Sequence, residues 1–103
     1  MNEKQTYSKD VVVELKNGLH LSPSVQIVQT AQGFRAKLAI HKGDRVVDGK
    51  SMLDLMTLAA EHGTRLRLEA TGDDAQAALD AIGALFDRNF VIDGVSADRV
   101  LVD

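Results

Sequence analysis

The run Val11-Val12-Val13-Glu14-Leu15-Lys16-Asn17-Gly18-Leu19-His20-Leu21-Ser22-Pro23-Ser24 decides the fold, because within it the chain passes from strand periodicity to helix periodicity. Val11, Val13 and Leu15 fall on one side of a pleat and Val12, Glu14 and Lys16 on the other, which predicts a strand. Asn17-Gly18 ends it, as a turn dipeptide does. In Ser22-Pro23-Ser24 the serine suits an N-cap, and proline suits the first helical position because its missing N–H would be unpaired there anyway. Val25, Val28 and Ala31 then recur at helical spacing beside Ile27, and Gly33 is a stop, so a helix is predicted from Ser22 to Gln32.

The same logic extends downstream. Phe34, Ala36, Leu38 and Ile40 alternate with Arg35, Lys37, Ala39 and His41, the pattern of a strand with one covered and one wet face. Lys42-Gly43-Asp44 turns the chain into a short strand, Arg45 to Asp48. Ser51-Met52-Leu53-Asp54 resembles a capping box with Asp in place of Glu, and Leu55, Met56, Leu58 and Ala59 continue a second helix toward Gly63. From Thr64 to Ala70, Leu66, Leu68 and Ala70 alternate with Arg65, Arg67 and Glu69 in another strand. Asp73, as N-cap, opens a third helix along which Leu79, Ile82 and Phe86 share a face with Ala75, Ala78 and Leu85. The order β-α-β-β-α-β-α predicts an α+β two-layer sandwich, a largely antiparallel sheet with its helices on one face.

A chain of 103 residues is one domain's worth. It contains no Cys, which excludes disulfides, thiolate metal sites and cysteine nucleophiles. The formal charge of −3 has the wrong sign for a protein that lives on nucleic-acid phosphates. Arg35, Lys37, Arg65 and Arg67 form a local basic patch on the uncovered sheet face, offset by Glu69, but aromatic stacking residues are missing from it. The polar start, residues 1–8, reads as a flexible leader without signal-peptide layout, and no apolar run approaches the ~20 residues of a membrane span. The expectation is a cytoplasmic, monomeric protein with no membrane insertion and no nucleic-acid partner. Residues 9–87 form the domain, and residues 88–103, with Phe90-Val91-Ile92 and Arg99-Val100-Leu101-Val102, are apolar enough to pack on it or to add an edge strand.

His20 is the one titratable nucleophile joined to a strong structural signal, since it stands at the mouth of a helix. First-turn N–H groups lack intrahelical partners, the helix dipole favours negative charge there, and a neutral imidazole is a competent nucleophile. A phosphoryl group on His20 would therefore sit in an anion site. The alternative is that His20 is a polar loop residue and Ser22 simply a cap. His20, His41 and His62 show no metal-ligand spacing, so no metal is expected, and no cofactor site is visible.

Gly18-Leu19-His20-x-x-Pro23 before an apolar helix, followed by Lys50-Ser51-Met52-Leu53-Asp54-Leu55-Met56-Thr57-Leu58, resembles HPr, the histidine-containing phosphocarrier of the sugar phosphotransferase system. The likeness runs from about Lys9 to Asp87 in the same element order. It implies an open-faced sandwich whose second and fourth strands are neighbours. It also implies that enzyme I, charged by phosphoenolpyruvate, phosphorylates His20, which passes the group to a IIA component. Ser51 matches the serine modified by an HPr serine kinase in some lineages, and Met52, Leu53 and Met56 match part of the partner-docking face.

The family motif is Gly-Leu-His-x-Arg-Pro-Ala, and here Ser22 replaces the arginine and Ser24 the alanine. A hydrogen bond to a charged group is worth roughly 1.5–3 kcal/mol, so losing the guanidinium corresponds to a ~10-fold to ~100-fold effect on transfer. Hydroxyls of Ser22 and Ser24 and first-turn amides are the candidate replacements. Ser51 has a sufficient structural reason as a cap, beside the regulatory one. A carrier rather than an independent catalyst is the first reading, because no general base stands beside His20. The second is a degenerate HPr-like regulator that acts by docking, with Ser51 phosphorylation, and the third is an anion-binding or interaction domain unrelated to phosphotransfer.

Overall fold

A computed structural model describes residues 5–91. The elements are β1 (Thr6–Val12), α1 (Leu21–Gln32), β2 (Lys37–Lys42), β3 (Arg45–Asp48), α2 (Met52–Leu58), β4 (Arg65–Thr71) and α3 (Ala75–Asp87). The order β-α-β-β-α-β-α is that read from the sequence. All strand pairs are antiparallel, in the spatial order β1-β4-β2-β3, so the second and fourth strands are indeed neighbours.

Period-two patterning produces one dry face. Val11 stands opposite Leu66, and Ile40 opposite both Leu68 and Val47, all of them buried. Ile27, Val28 and Ala31 of α1 and Ala78, Leu79, Ile82 and Leu85 of α3 close the same core. Burial of such aliphatic side chains is worth roughly 1.5–3 kcal/mol each, which makes this face the main source of stability.

The opposite face is wet and carries charges of both signs. Arg67 is opposite Asp10 and His41 in register, and its Nε donates to Asp10 Oδ1 at 3.3 Å. His41 Nε2 lies 3.0 Å from Glu69 Oε1. Arg35 precedes β2 instead of lying in it, so the predicted basic patch is smaller than its sequence suggests, and its Arg67 is paired with Asp10.

Several boundaries differ from the sequence reading for physical reasons. β1 begins at Thr6, inside the stretch read as leader, and ends before Val13 and Leu15, which are buried beyond it. Its first residues are polar because an edge strand is wet, while its ladder bonds to β4 come from the backbone whatever the side chains. The N-cap of α1 is His20 and not Ser22, since the His20 carbonyl already accepts the Ser24 amide at 3.1 Å. Pro23 is then third in the helix, still within the turn where an N–H has no partner. The Ser51 cap is as expected, its Oγ accepting the Asp54 amide at 3.1 Å, but α2 stops at Leu58 because Ala59 turns left-handed at φ 54.

α3 is capped in position by Asp74 and not Asp73, and the Asp74 side chain does other work. Its Oδ2 accepts the Arg35 amide at 2.9 Å and its Oδ1 the Ala36 amide at 2.8 Å, so it ties α3 to the approach of β2. The Arg35 amide, with that of Ala36, holds this carboxyl below its ordinary range. After α3, Asn89 and Phe90 take positive φ and reverse the chain. Phe90 is buried, meets Phe86 edge-on at 4.9 Å, and its carbonyl accepts Gln26 Nε2 at 3.1 Å. The stretch Arg99-Val100-Leu101-Val102 lies outside the described residues.

Candidate functional site

The backbone before His20 is shaped by one glycine. Gly18 has φ 73, and a Cβ there would stand 2.5 Å from the Ala60 carbonyl oxygen and 3.0 Å from Glu61 Cα. Glycine is needed twice over, for its conformation and for the close approach. Its amide donates to Leu15 O at 3.0 Å, closing the turn after the buried Val13 and Leu15. Leu19 then buries its side chain and donates its amide to Ala60 O at 2.8 Å. The loop is thus seated on the segment that leaves α2.

His20 follows in an extended conformation, φ −86 and ψ −162, as the N-cap of α1. Its amide donates to Gly18 O at 2.9 Å, and its side chain makes no capping bond to its own helix. The imidazole is half-buried at the positive end of the helix dipole. Next along the chain, Leu21 is 52% exposed, an apolar neighbour of His20 that the sequence reading passed over because it expected the helix to start later. Its position immediately after the histidine was the available signal.

The two serines of this turn part company. Ser22 is half-buried at the start of the helix, whereas Ser24 is 0% exposed and its hydroxyl donates to Leu19 O at 3.4 Å. Ser24 therefore spends its proton on the loop that carries His20. Pro23 has no N–H, and the Ser24 amide belongs to the helix, which leaves the amides of Leu21 and Ser22 and the Ser22 hydroxyl as the donors of this terminus without a partner inside the helix.

Ser51 lies at the N-terminus of α2, half-buried. It is framed by the Asp54 amide that its Oγ accepts and by Asp48, whose carbonyl accepts its own amide at 3.0 Å. The Asp54 carboxylate turns away to accept the Asp48 amide at 3.1 Å, and Lys50 Nζ donates to Phe34 O at 2.7 Å. Along the helix, Leu53 is 73% and Met56 43% exposed, while Met52 is partly buried against the core. α1 and α2 pack together, so both helices belong to one side of the molecule.

No group of three or more His, Cys, Asp or Glu side chains suited to a metal ion occurs among the described residues. None of their helices is long and apolar enough to cross a membrane. An open groove of about 690 Å³ runs along β1 and β4, lined by Asp10, Val12, His41, Arg65 and Arg67, and His20 is not part of it.

Comparison with known proteins points to one family. Residues 7–88 match the family described as the PTS HPr component phosphorylation site. The phosphocarrier protein HPr of Haemophilus influenzae is 39% identical over 79 residues, which covers 77% of this chain and 93% of that protein. The HPr-like protein Crh of Halalkalibacterium halodurans is 36% identical over 80 residues, covering 78% of this chain and 95% of the relative. The crystal structure of HPr-C-His from Thermoanaerobacter tengcongensis superimposes with a TM-score of 0.79 at 31% identity, covering 82% of this chain and 94% of that one. With its open-faced sandwich, its glycine-led histidine at the mouth of α1 and these likenesses over most of its length, the chain belongs to the HPr phosphocarrier family of the phosphotransferase system.

Proposed function

We propose that the protein carries a phosphoryl group on His20, accepting it from enzyme I and passing it to a IIA component. The observation that carries this reading is the placement of His20 as the N-cap of α1, on a loop seated against Ala60. In the transfer step the lone pair of a ring nitrogen attacks phosphorus, the new P–N bond forms, and the bond to the donor breaks with its electron pair leaving on the donor. The amides of Leu21 and Ser22, the Ser22 hydroxyl and the helix dipole then face the negative oxygens. Leu21, Leu53 and Met56 supply exposed apolar surface on which a partner docks, with Met52 behind them as support. Incubation with phosphoenolpyruvate and enzyme I, followed by mass spectrometry for an acid-labile adduct absent from His20→Ala, tests the reading.

A second reading, a regulator that docks without efficient transfer, draws on two observations. Ser22 brings no guanidinium to the site, and the Ser24 hydroxyl is engaged with Leu19. In that reading an HPr serine kinase modifies Ser51, which adds about −1.5 to −2 charge beside Asp54 and replaces the neutral cap. Partner capture that is lost in Met56→Asp, together with no phosphoryl adduct on the wild-type chain after incubation with phosphoenolpyruvate and enzyme I, distinguishes it from the carrier.

A further inference from the structure

The Ala60 carbonyl on which Leu19 sits belongs to a turn held by cations from another part of the fold. Lys42, the last residue of β2, sends its Nζ to Leu58 O at 2.9 Å and to Ala59 O at 3.0 Å. Arg45, the first residue of β3, donates from Nη1 to Thr57 O at 2.6 Å. These are carbonyls at the C-terminus of α2, which have no N–H partners within the helix and face the negative end of its dipole. The turn needs the support, because Ala59 is left-handed at φ 54 and ψ 47, a conformation that a residue with a Cβ resists. The next carbonyl along, that of Ala60, accepts the Leu19 amide at 2.8 Å, and His20 follows Leu19 directly.

We propose that Lys42 is a positioning residue for His20. Its ammonium fixes the carbonyls on either side of the left-handed Ala59, those of Leu58 and of Ala59 itself, these fix the direction of the Ala60 carbonyl, and Ala60 fixes the backbone that presents the imidazole. Arg45 steadies Thr57 in the last turn of α2, whereas Lys42 reaches the left-handed residue itself. The consequence for phosphotransfer rests on the carrier reading above, whereas the consequence for the loop does not.

The experiment compares the full chain with Lys42→Met and Lys42→Arg by amide hydrogen exchange at Leu19, with Leu68 of the central strand β4 reporting global stability. Lys42→Met speeds Leu19 exchange by about tenfold, the scale of one lost charge-assisted hydrogen bond, leaves Leu68 unchanged, and Lys42→Arg restores protection. With phosphoenolpyruvate and enzyme I as the probe, the same variant slows acceptance by lowering kcat more than it raises KM, and the arginine variant recovers it. Equal loss of protection at Leu19 and Leu68 means Lys42 only stabilises the fold, and unchanged Leu19 exchange means the turn holds without it. Either result overturns the proposal. If no variant or wild-type chain accepts a phosphoryl group, the carrier reading fails while the exchange result still decides the role of Lys42.

Discussion

Gly18 and Ala60 meet so closely that a Cβ on the glycine would stand 2.5 Å from the alanine's carbonyl oxygen. The loop that delivers His20 and the segment that leaves α2 are thus built as one unit, although they are far apart in sequence. Backbone hydrogen bonds from Val13 to Thr64 O and from Gly63 to Val13 O extend the same seam.

Gly18→Ala combines a left-handed backbone with overpacking against a carbonyl, so it should lower stability by about 2–4 kcal/mol. Urea denaturation gives the value, and a loss under 1 kcal/mol at unchanged m-value would mean that the loop shifts freely off Ala60.

Ser22→Arg restores the guanidinium that the family motif places beside the histidine. Acceptance on His20 should rise by ~10-fold to ~100-fold, the equivalent of one hydrogen bond to a charged group. Rapid-quench measurement of phosphorylation decides, and equal or slower acceptance would show that the helix mouth is already adapted to serine.

Asp74 ties α3 to the approach of β2 and should make stability depend on acid pH. Its carboxyl is held below the ordinary value of 3.8, chiefly by the Arg35 amide. A depressed folded value means that the stabilisation is fully present above 3.8 and is lost as pH falls through the lower folded value. Asp74→Asn, which cannot offer two carboxylate oxygens to the Arg35 and Ala36 amides, should be less stable at neutral pH and should lose less on acidification. Thermal melts of both chains across that range measure the difference, and parallel curves would contradict the assignment.

Ala59→Gly relieves the left-handed strain at the end of α2, against the larger backbone entropy of glycine in the unfolded chain. The balance favours glycine by about 0.5–1 kcal/mol, because the left-handed penalty of ~1–2 kcal/mol exceeds the entropic one. A rise in melting temperature is the expected outcome, and a fall would imply that the turn changes shape once the Cβ is gone.

What could be read from the sequence was what local chemistry dictates. Leu66, Leu68 and Ala70 announce a half-covered strand by alternation, and Ser51 with Asp54 announces a helix start, because both signals are complete within a few residues. Thr6 to Asp10 could not be recognised as strand because their order comes from β4, sixty residues away, and not from their own polarity. The Asp74 bond to Arg35 and Ala36, the left-handed Ala59 and the reach of Lys42 to α2 are tertiary facts of the same kind. At the candidate site His20 was legible from its glycine, its proline and the helix beyond. The split between Ser22 and Ser24 was not, because it depends on the helix beginning at Leu21, which turns Ser24 inward.

The most direct test of the central claim is mass spectrometry after incubation with phosphoenolpyruvate and an enzyme I already shown to act on another HPr. The account predicts one acid-labile phosphoryl adduct on the wild-type chain and none on His20→Ala. An unmodified wild-type chain, or an adduct that persists in the variant, would contradict it.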